Sequence, residues 1–413
     1  MDGFVKDRPK LLFCRFCLIL WFSLFLLPCF SATLWAEQAY FDEASDPESF
    51  DSIPGLFEAM IISDLHFTTD QNASDVVVSG MRHAEEITDA IIDQVIREKP
   101  DVFIMTGDNT NSGNPADVEA LIGKLQRIRD AGIRLVITTG NHDFANMDPV
   151  AFEETYFSLI RADDRDENSL SYTVVIDDVV LLAMDDGATD PGGQGYFSRE
   201  TMDWLRKMLE KYQDRHIIFL SHHNLLLGKN LEGTESFCIQ NPDLSGLLEG
   251  KGVRLALTGH FHAQIILEEN GLYEVISGMP FSGSHLMGRL QIKNDHLSYR
   301  ADPIDFEACG MAGLAKDMKQ TEERNAQLMK ETFRPTVAGS GLSEQRQEQV
   351  LDLIIRFLAF YTEGSMAEHL QEITADPVFD DMISAMQNTN YGPWMQSVLA
   401  GTPLPATRLE VEF

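Results

Sequence analysis

The run EAMIISDLHF at residues 58–67, followed by DVFIMTGDNT at 101–110 and IRLVITTGNHD at 133–143, decides the fold of this chain. Each is a short apolar stretch that breaks directly into a polar cluster: Ser63-Asp64-Leu65-His66, then Thr106-Gly107-Asp108-Asn109, then Thr139-Gly140-Asn141-His142-Asp143. The apolar parts predict strands at Ala59 to Ser63, Val102 to Thr106 and Leu135 to Thr139, and helical periodicity near His83 to Glu98 and Ala116 to Ala131 separates them. The order is βαβαβ. Its polar clusters therefore gather at the C-terminal ends of parallel strands, where open α/β sheets place their ligands.

The same event recurs downstream, at Leu220-Ser221-His222-His223 and at Leu257-Thr258-Gly259-His260-Phe261-His262. Asp64 and His66 alternate about one residue, as do His260 and His262, so on an extended backbone each pair faces one way and can chelate. A single strand-end Asp is ordinarily a cap or turn residue, and a single His ordinarily a core group. Five such clusters, each directly after an apolar strand, are a site. Mixed Asp, His and Asn donors without a thiolate suit first-row divalent ions such as Mn, Fe, Co, Ni or Zn rather than structural zinc. Two ions fit the ligand count, and a pair held roughly 3.5 to 4 Å apart activates a water and stabilises the entering and leaving oxygens of an in-line displacement. The matching electrophile is a phosphoryl group.

In the order DxH, GD, GNH, a lone His and GHxH, from about Met60 to His262, these clusters resemble the calcineurin-like metallophosphoesterase superfamily. That resemblance implies a four-layer αββα sandwich of two mixed sheets between helices, consistent with the strand pattern. It implies that Asp64, His66 and His262 bind one metal and Asn141, His222 and His260 the other, with Asp108 bridging. It also implies that a metal-bridging hydroxide attacks phosphorus while His142 contacts the phosphate and protonates the leaving oxygen. Taking His222 rather than His223 rests on aligning His222-His223-Asn224 with a His-X-Pro pattern. The chain departs from the family at Asn109-Thr110-Asn111, where a further Asp or Arg is common, and at Asn224, where Pro is common; neither removes a ligand. Ser63-Asp64-Leu65-His66 and Gly140-Asn141-His142-Asp143 look like the class III cyclic-nucleotide phosphodiesterase branch. Two divalent metals, two carboxylates and one hydroxide sum to about +1, which a diester monoanion neutralises. The expected substrate is a cyclic nucleotide or related small phosphodiester, with a phosphomonoesterase or nucleotidase as the alternative. A further alternative is a non-catalytic interaction scaffold; such scaffolds usually lose ligands, and here all seven ligand positions and His142 are present.

The remaining chain frames this site. With 413 residues, two or three domains are expected, and 32 Lys+Arg against 65 Asp+Glu give a net charge of −33, which repels nucleic-acid polymers. Lys6, Arg8, Lys10 and Arg15 precede an uncharged, mostly apolar run from Phe16 to Ala36, the order found in a signal peptide or an uncleaved membrane anchor. Either predicts an extracytoplasmic protein, secreted or membrane-anchored. Beyond residue 36 only Cys238 and Cys309 remain, the one intrachain pair open to an oxidising compartment. Residues 37–56 read as an acidic linker and 57–303 as the catalytic domain. Residues 304–413 read as a helical extension, with a helix over Lys316 to Lys330, a break from Pro335 to Gly341 and Ser343 as an N-cap. Val350, Ile354, Phe357, Leu358 and Tyr361 form one apolar face that reads as core.

Overall fold

The structure, a computed structural model, describes residues 55–70, 81–187, 194–401 and 404–412. The proposed export segment and most of the acidic linker lie outside these residues. Among the described residues no helix is long and apolar enough to cross a membrane.

The first βαβαβ unit forms as its pattern predicts. Strands β1 (Leu56–Ile62), β2 (Val102–Thr106) and β3 (Arg134–Thr138) are linked by α1 (Ala84–Glu98) and α2 (Pro115–Asp130), and β1 pairs parallel with β2 and β2 with β3. Asn114 caps α2, its side chain accepting from the Ala116 amide, with Pro115 at the first helical position where a missing N–H costs nothing. Next come α3 (Pro149–Tyr156), a ribbon of β4 (Asp164–Arg165), β5 (Tyr172–Ile176) and β6 (Val179–Ala183), helix α4 (Arg199–Lys211), then β7 (His216–Leu220). A short α5 (Leu227–Asn230) and α6 (Leu244–Gly250) lead to β8 (Leu255–Thr258), β9 (Ile265–Glu269), β10 (Leu272–Ile276), β11 (Leu286–Lys293) and β12 (His296–Pro303).

Two mixed sheets result, in the orders β13-β12-β11-β1-β2-β3 and β4-β5-β6-β7-β8-β10-β9, where β13 is Arg408–Glu412. Alternate residues explain the layering. Ala59, Ile61, Val102, Ile104 and Val136 of the first sheet meet Leu181, Ile218, Leu220, Leu255 and Leu257 of the second in a core between the sheets. Their neighbours Met60, Ile62, Phe103 and Met105 face α1 and α2, while Val180, Leu182, Ile217 and Phe219 face α4 and α6. Strands buried on both faces read as unbroken apolar runs. The αββα sandwich is the expected fold, and it brings the C-terminal ends of β1, β2 and β3 to the seam beside those of β7 and β8.

Three features differ from the sequence reading. Helix α7 (Ala312–Ala338) runs through Pro335, because Phe333 and Val337 on either side of it are both buried in one apolar cluster; the break comes only after Ala338, and Ser343 then caps α8 (Glu344–Thr362). Helices α9 (Met366–Thr374), α10 (Phe379–Met386) and α11 (Gly392–Ala400) follow, but the extension is not wholly helical, since β13 pairs antiparallel with β12 and closes the first sheet. Cys238 and Cys309 are both free thiols; they sit in different apolar clusters, so no bond can join them. The α8 stripe from Val350 to Tyr361 is core, as expected.

Candidate metal centre

Three of the five ligand-bearing strand ends do not stay extended. Asp64, His66, Asp108, His260 and His262 have φ of 52°, 39°, 48°, 65° and 55°, so the expectation of an alternating extended backbone is wrong: the chain curls through the left-handed region at each of these residues. For a residue with a Cβ this costs on the order of 1–3 kcal/mol and persists only where neighbours over-determine it. Here they do. The amides of Asp64 and His66 donate to the carbonyls of Gly107 and Asp108 at 3.1 and 2.9 Å, and the His260 amide donates to both oxygens of the Asp64 carboxylate at 3.1 Å. The backbone also approaches too closely for any side chain at Gly140, where a Cβ would overlap the amide and carboxylate of Asp108.

Two groups of donor atoms converge: Asp64, His66, Asp108 and His262 in one, Asp108, His222 and His260 in the other, each within 4.8 Å. His66 Nε2 and His262 Nε2 lie 3.2 Å apart, and His262 Nε2 lies 3.2 Å from Asp64 Oδ1. Donors about 2.1 Å from one ion stand about 3.0 Å apart at a right angle and about 3.4 Å at a tetrahedral angle, so these spacings fit a first-row cation. In the second group His222 Nε2 is 3.2 Å from Asn141 Oδ1, which brings Asn141 to that group. One atom belongs to both. Asp108 Oδ2 lies 3.6 Å from His66 Nε2 and 3.3 Å from His222 Nε2, while Asp108 Oδ1 accepts from the His142 amide at 2.8 Å.

The charges suit cations. Burial alone would raise the Asp64 and Asp108 carboxyls, but the histidines around them, His262 for Asp64 and His222 with His142 for Asp108, hold both below the usual carboxylate range. Burial and the neighbouring His142 push His66 down to about 3, so its imidazole is a neutral donor. Burial would lower His222 too, yet the Asp108 carboxylate pulls it up to about 10. An ion arriving there must displace that proton. His222 Nδ1 donates to the Thr106 carbonyl at 2.9 Å, which points Nε2 at the cluster, as outer partners of metal-ligating histidines do.

His142 stands beside this array, its ring 4.5 Å from that of His66 between centroids. Its Nδ1 lies 2.8 Å from the Asn111 carbonyl oxygen; since a carbonyl only accepts, Nδ1 carries a proton and Nε2 is the nitrogen left for proton exchange. The departures from the family pattern have structural work. The Asn109 side chain donates to the Thr138 carbonyl and to Asp143 at 2.9 and 2.8 Å, and the Asn224 side chain donates to Thr258 and to the Gly259 carbonyl at 3.1 and 2.9 Å, tying the end of β7 to the end of β8.

A family model described as calcineurin-like phosphoesterase matches residues 58–264, from within β1 to just past His262. The chain belongs to the calcineurin-like phosphoesterase family. Curated relatives include a probable cyclic nucleotide phosphodiesterase of Rhodococcus erythropolis, 26% identical over 206 residues that cover 49% of this chain and 63% of that protein. Another is a probable glycerophosphodiester phosphodiesterase of Arcobacter nitrofigilis, 28% identical over 169 residues, 40% of this chain and 58% of that protein. The chain therefore spans less than two thirds of the length of the curated relatives it matches. Among solved structures, a dimetal phosphatase from Danio rerio aligns at TM-score 0.48 with 13% identity, covering 59% of this chain and 95% of that one.

All eight residues singled out in this phosphoesterase sequence lie at one seam, and His222 rather than His223 faces Asp108. Three supporting residues had no assigned role in the sequence. Asp143 accepts from the amides of Asn109, Thr110 and Gly140 at 3.2, 3.0 and 3.1 Å, locking the β2 and β3 loops together; burial and the Asp108 charge push its carboxyl up to about 6. His223 packs its ring 4.1 Å from that of His260 and its Nδ1 3.2 Å from Asp186 Oδ1. Asp143 and His223 were visible as neighbours of ligands. Asp186 carried no signal, because only the tertiary fold brings it to His223.

Proposed function

We propose that the protein is a dinuclear metal-dependent phosphodiesterase acting on a cyclic nucleotide or a related small phosphodiester. One observation carries the dinuclear part: a single oxygen, Asp108 Oδ2, stands between the two donor groups. Asp64, His66, Asp108 and His262 would hold one ion and Asp108, Asn141, His222 and His260 the other, a donor set that suits Mn, Fe or Zn. When bound, such a pair supplies the positive charge that activates water and neutralises phosphoryl oxygens.

The chain's own groups do the rest. The Asn141 amide orients a non-bridging oxygen of the substrate. His142, its Nδ1–H held by Asn111, gives a proton from Nε2 to the departing ribose oxygen as the bond from phosphorus to that oxygen breaks, and water supplies the oxygen that phosphorus gains. A cyclic ester needs only that one bond cut. Support for a diester comes from the names of the curated relatives and from charge, since a monoanion matches the loaded site better than a dianion.

The expected result is a higher kcat/KM for cyclic AMP, cyclic GMP or bis(4-nitrophenyl) phosphate than for AMP or 4-nitrophenyl phosphate. A consistent preference for the monoesters would replace this reading with a phosphatase or nucleotidase. We also place the enzyme outside the cytoplasm on the strength of the basic-then-apolar order of residues 1–36. Residues 1–60 fused to a reporter active only after export should give signal; a silent fusion defeats that placement.

A further inference from the structure

The loop that carries two of the ligands, His260 to Gln264, is held from two sides. On one side the Asp64 carboxylate binds the His260 amide. On the other side, beyond His262, two of its hydrogen-bond partners come from the last quarter of the chain, in addition to the Tyr299 hydroxyl of β12, 3.4 Å from Gln264 Nε2. Gln264, only 2% exposed, donates its amide to the carbonyl of Thr362, the last residue of α8, at 2.9 Å. Its side-chain Nε2 donates to the Ala406 carbonyl at 2.8 Å, on the approach to β13.

Packing adds to this hold, beside the Phe237 ring that meets Phe261 at 5.0 Å. Phe261 and Ala263, which flank His262, belong to the same apolar cluster as Ile354, Phe357 and Leu358 of α8, and the Phe261 and Tyr361 rings meet edge-on at 6.4 Å. Gly364 lets the backbone after α8 come this close: its φ is +76°, and a Cβ there would stand 2.8 Å from the Gln264 carbonyl oxygen and 3.0 Å from the Ala406 Cβ. Thr362 and Glu363 also line the small cavity that His262 shares with Ser282.

His262 needs such a hold. Its left-handed backbone is one that an L-residue adopts only under constraint, and its Nε2 is what closes the Asp64–His66–Asp108 group. We propose that the C-terminal extension is a structural part of the metal centre, with Gln264 as the positioning residue: clamped between Thr362 and Ala406, it fixes His262 and so sets the affinity of the ion held by Asp64, His66, Asp108 and His262. The other ion does not depend on this clamp, because His260 is anchored by Asp64 and His222 by Thr106. The inference rests on the two-ion reading above.

The test is Mn²⁺ binding to the full chain, without substrate. The wild type should bind two ions. Gln264→Leu, which keeps the size but removes the side-chain donor, should hold one ion near wild-type affinity and the other about tenfold or more weaker, the scale of outer-shell losses at metal sites. Gln264→Glu, retaining the length and the amide to Thr362, gives the same readout should the leucine variant not fold. Met382→Ala, a buried change in α10 elsewhere in the extension, should lower thermal stability and leave both affinities unchanged. Equal weakening of both ions in the Gln264 variants, or two wild-type affinities, overturns the clamp while leaving the two-ion reading intact. A wild type that binds fewer than two ions overturns that reading itself.

Discussion

Asp108→Ala is expected to bind no ion pair and to hydrolyse phosphodiesters more slowly by on the order of 10⁴ or more, the loss that follows when a metal-activated water reverts to ordinary water. The chain should still fold. Asp108 is 1% exposed beside a second buried carboxylate, Asp64; its removal relieves that repulsion, costs the His142 amide this acceptor, and lets His222 fall back toward the neutral imidazole that burial favours. Metal content by mass spectrometry, together with circular dichroism, separates loss of ions from loss of fold. A folded Asp108→Ala protein that retains two ions and full activity would refute its place between the two groups.

His142→Ala should behave differently, since in the proposed function His142 holds no ion. The variant is expected to keep both metals and to lose on the order of 10² to 10⁴ in rate, the usual worth of general-acid help. The loss should be greatest with alkoxide leaving groups such as ribose oxygens and smallest with nitrophenolate, which departs without a proton. Parallel kcat/KM measurements on a cyclic nucleotide and on bis(4-nitrophenyl) phosphate decide this. Equal losses on the two would assign His142 to phosphate binding alone.

Much of this site was readable in the sequence because its ligands are local events: an apolar strand ends and a polar cluster begins, five times. Strand β2 forms at Val102–Thr106, where its apolar run predicts it. Backbone conformation at the ligands was not readable. Asp, His and Asn tolerate the left-handed region without advertising it, so the alternation of Asp64 with His66 suggested an extended chelate where the structure has a curled one. Long-range partners were equally silent. Nothing in Gln264 hints that it meets Thr362 and Ala406, 98 and 142 residues further on, and nothing in the helical periodicity after Pro303 hints that Arg408–Glu412 returns as an edge strand of the first sheet. Such contacts depend on topology, which periodicity does not encode.

The extension also changes how truncation should be viewed. Removing it would expose Phe261, Ile265 and Ile276 of the phosphoesterase core, which share an apolar cluster with α7 to α11, and would take Thr362 and Ala406 away from Gln264. The helices are continuous with the site's support rather than appended to it.

In the proposed function, two ions joined through Asp108 make this chain a phosphodiesterase. The most direct measurement is stepwise addition of Mn²⁺ to metal-free full-length protein while following hydrolysis of bis(4-nitrophenyl) phosphate. No turnover is expected without metal, and activity should rise to a plateau at two ions per chain. Full activity in the metal-free protein, or a plateau at one ion, would contradict it.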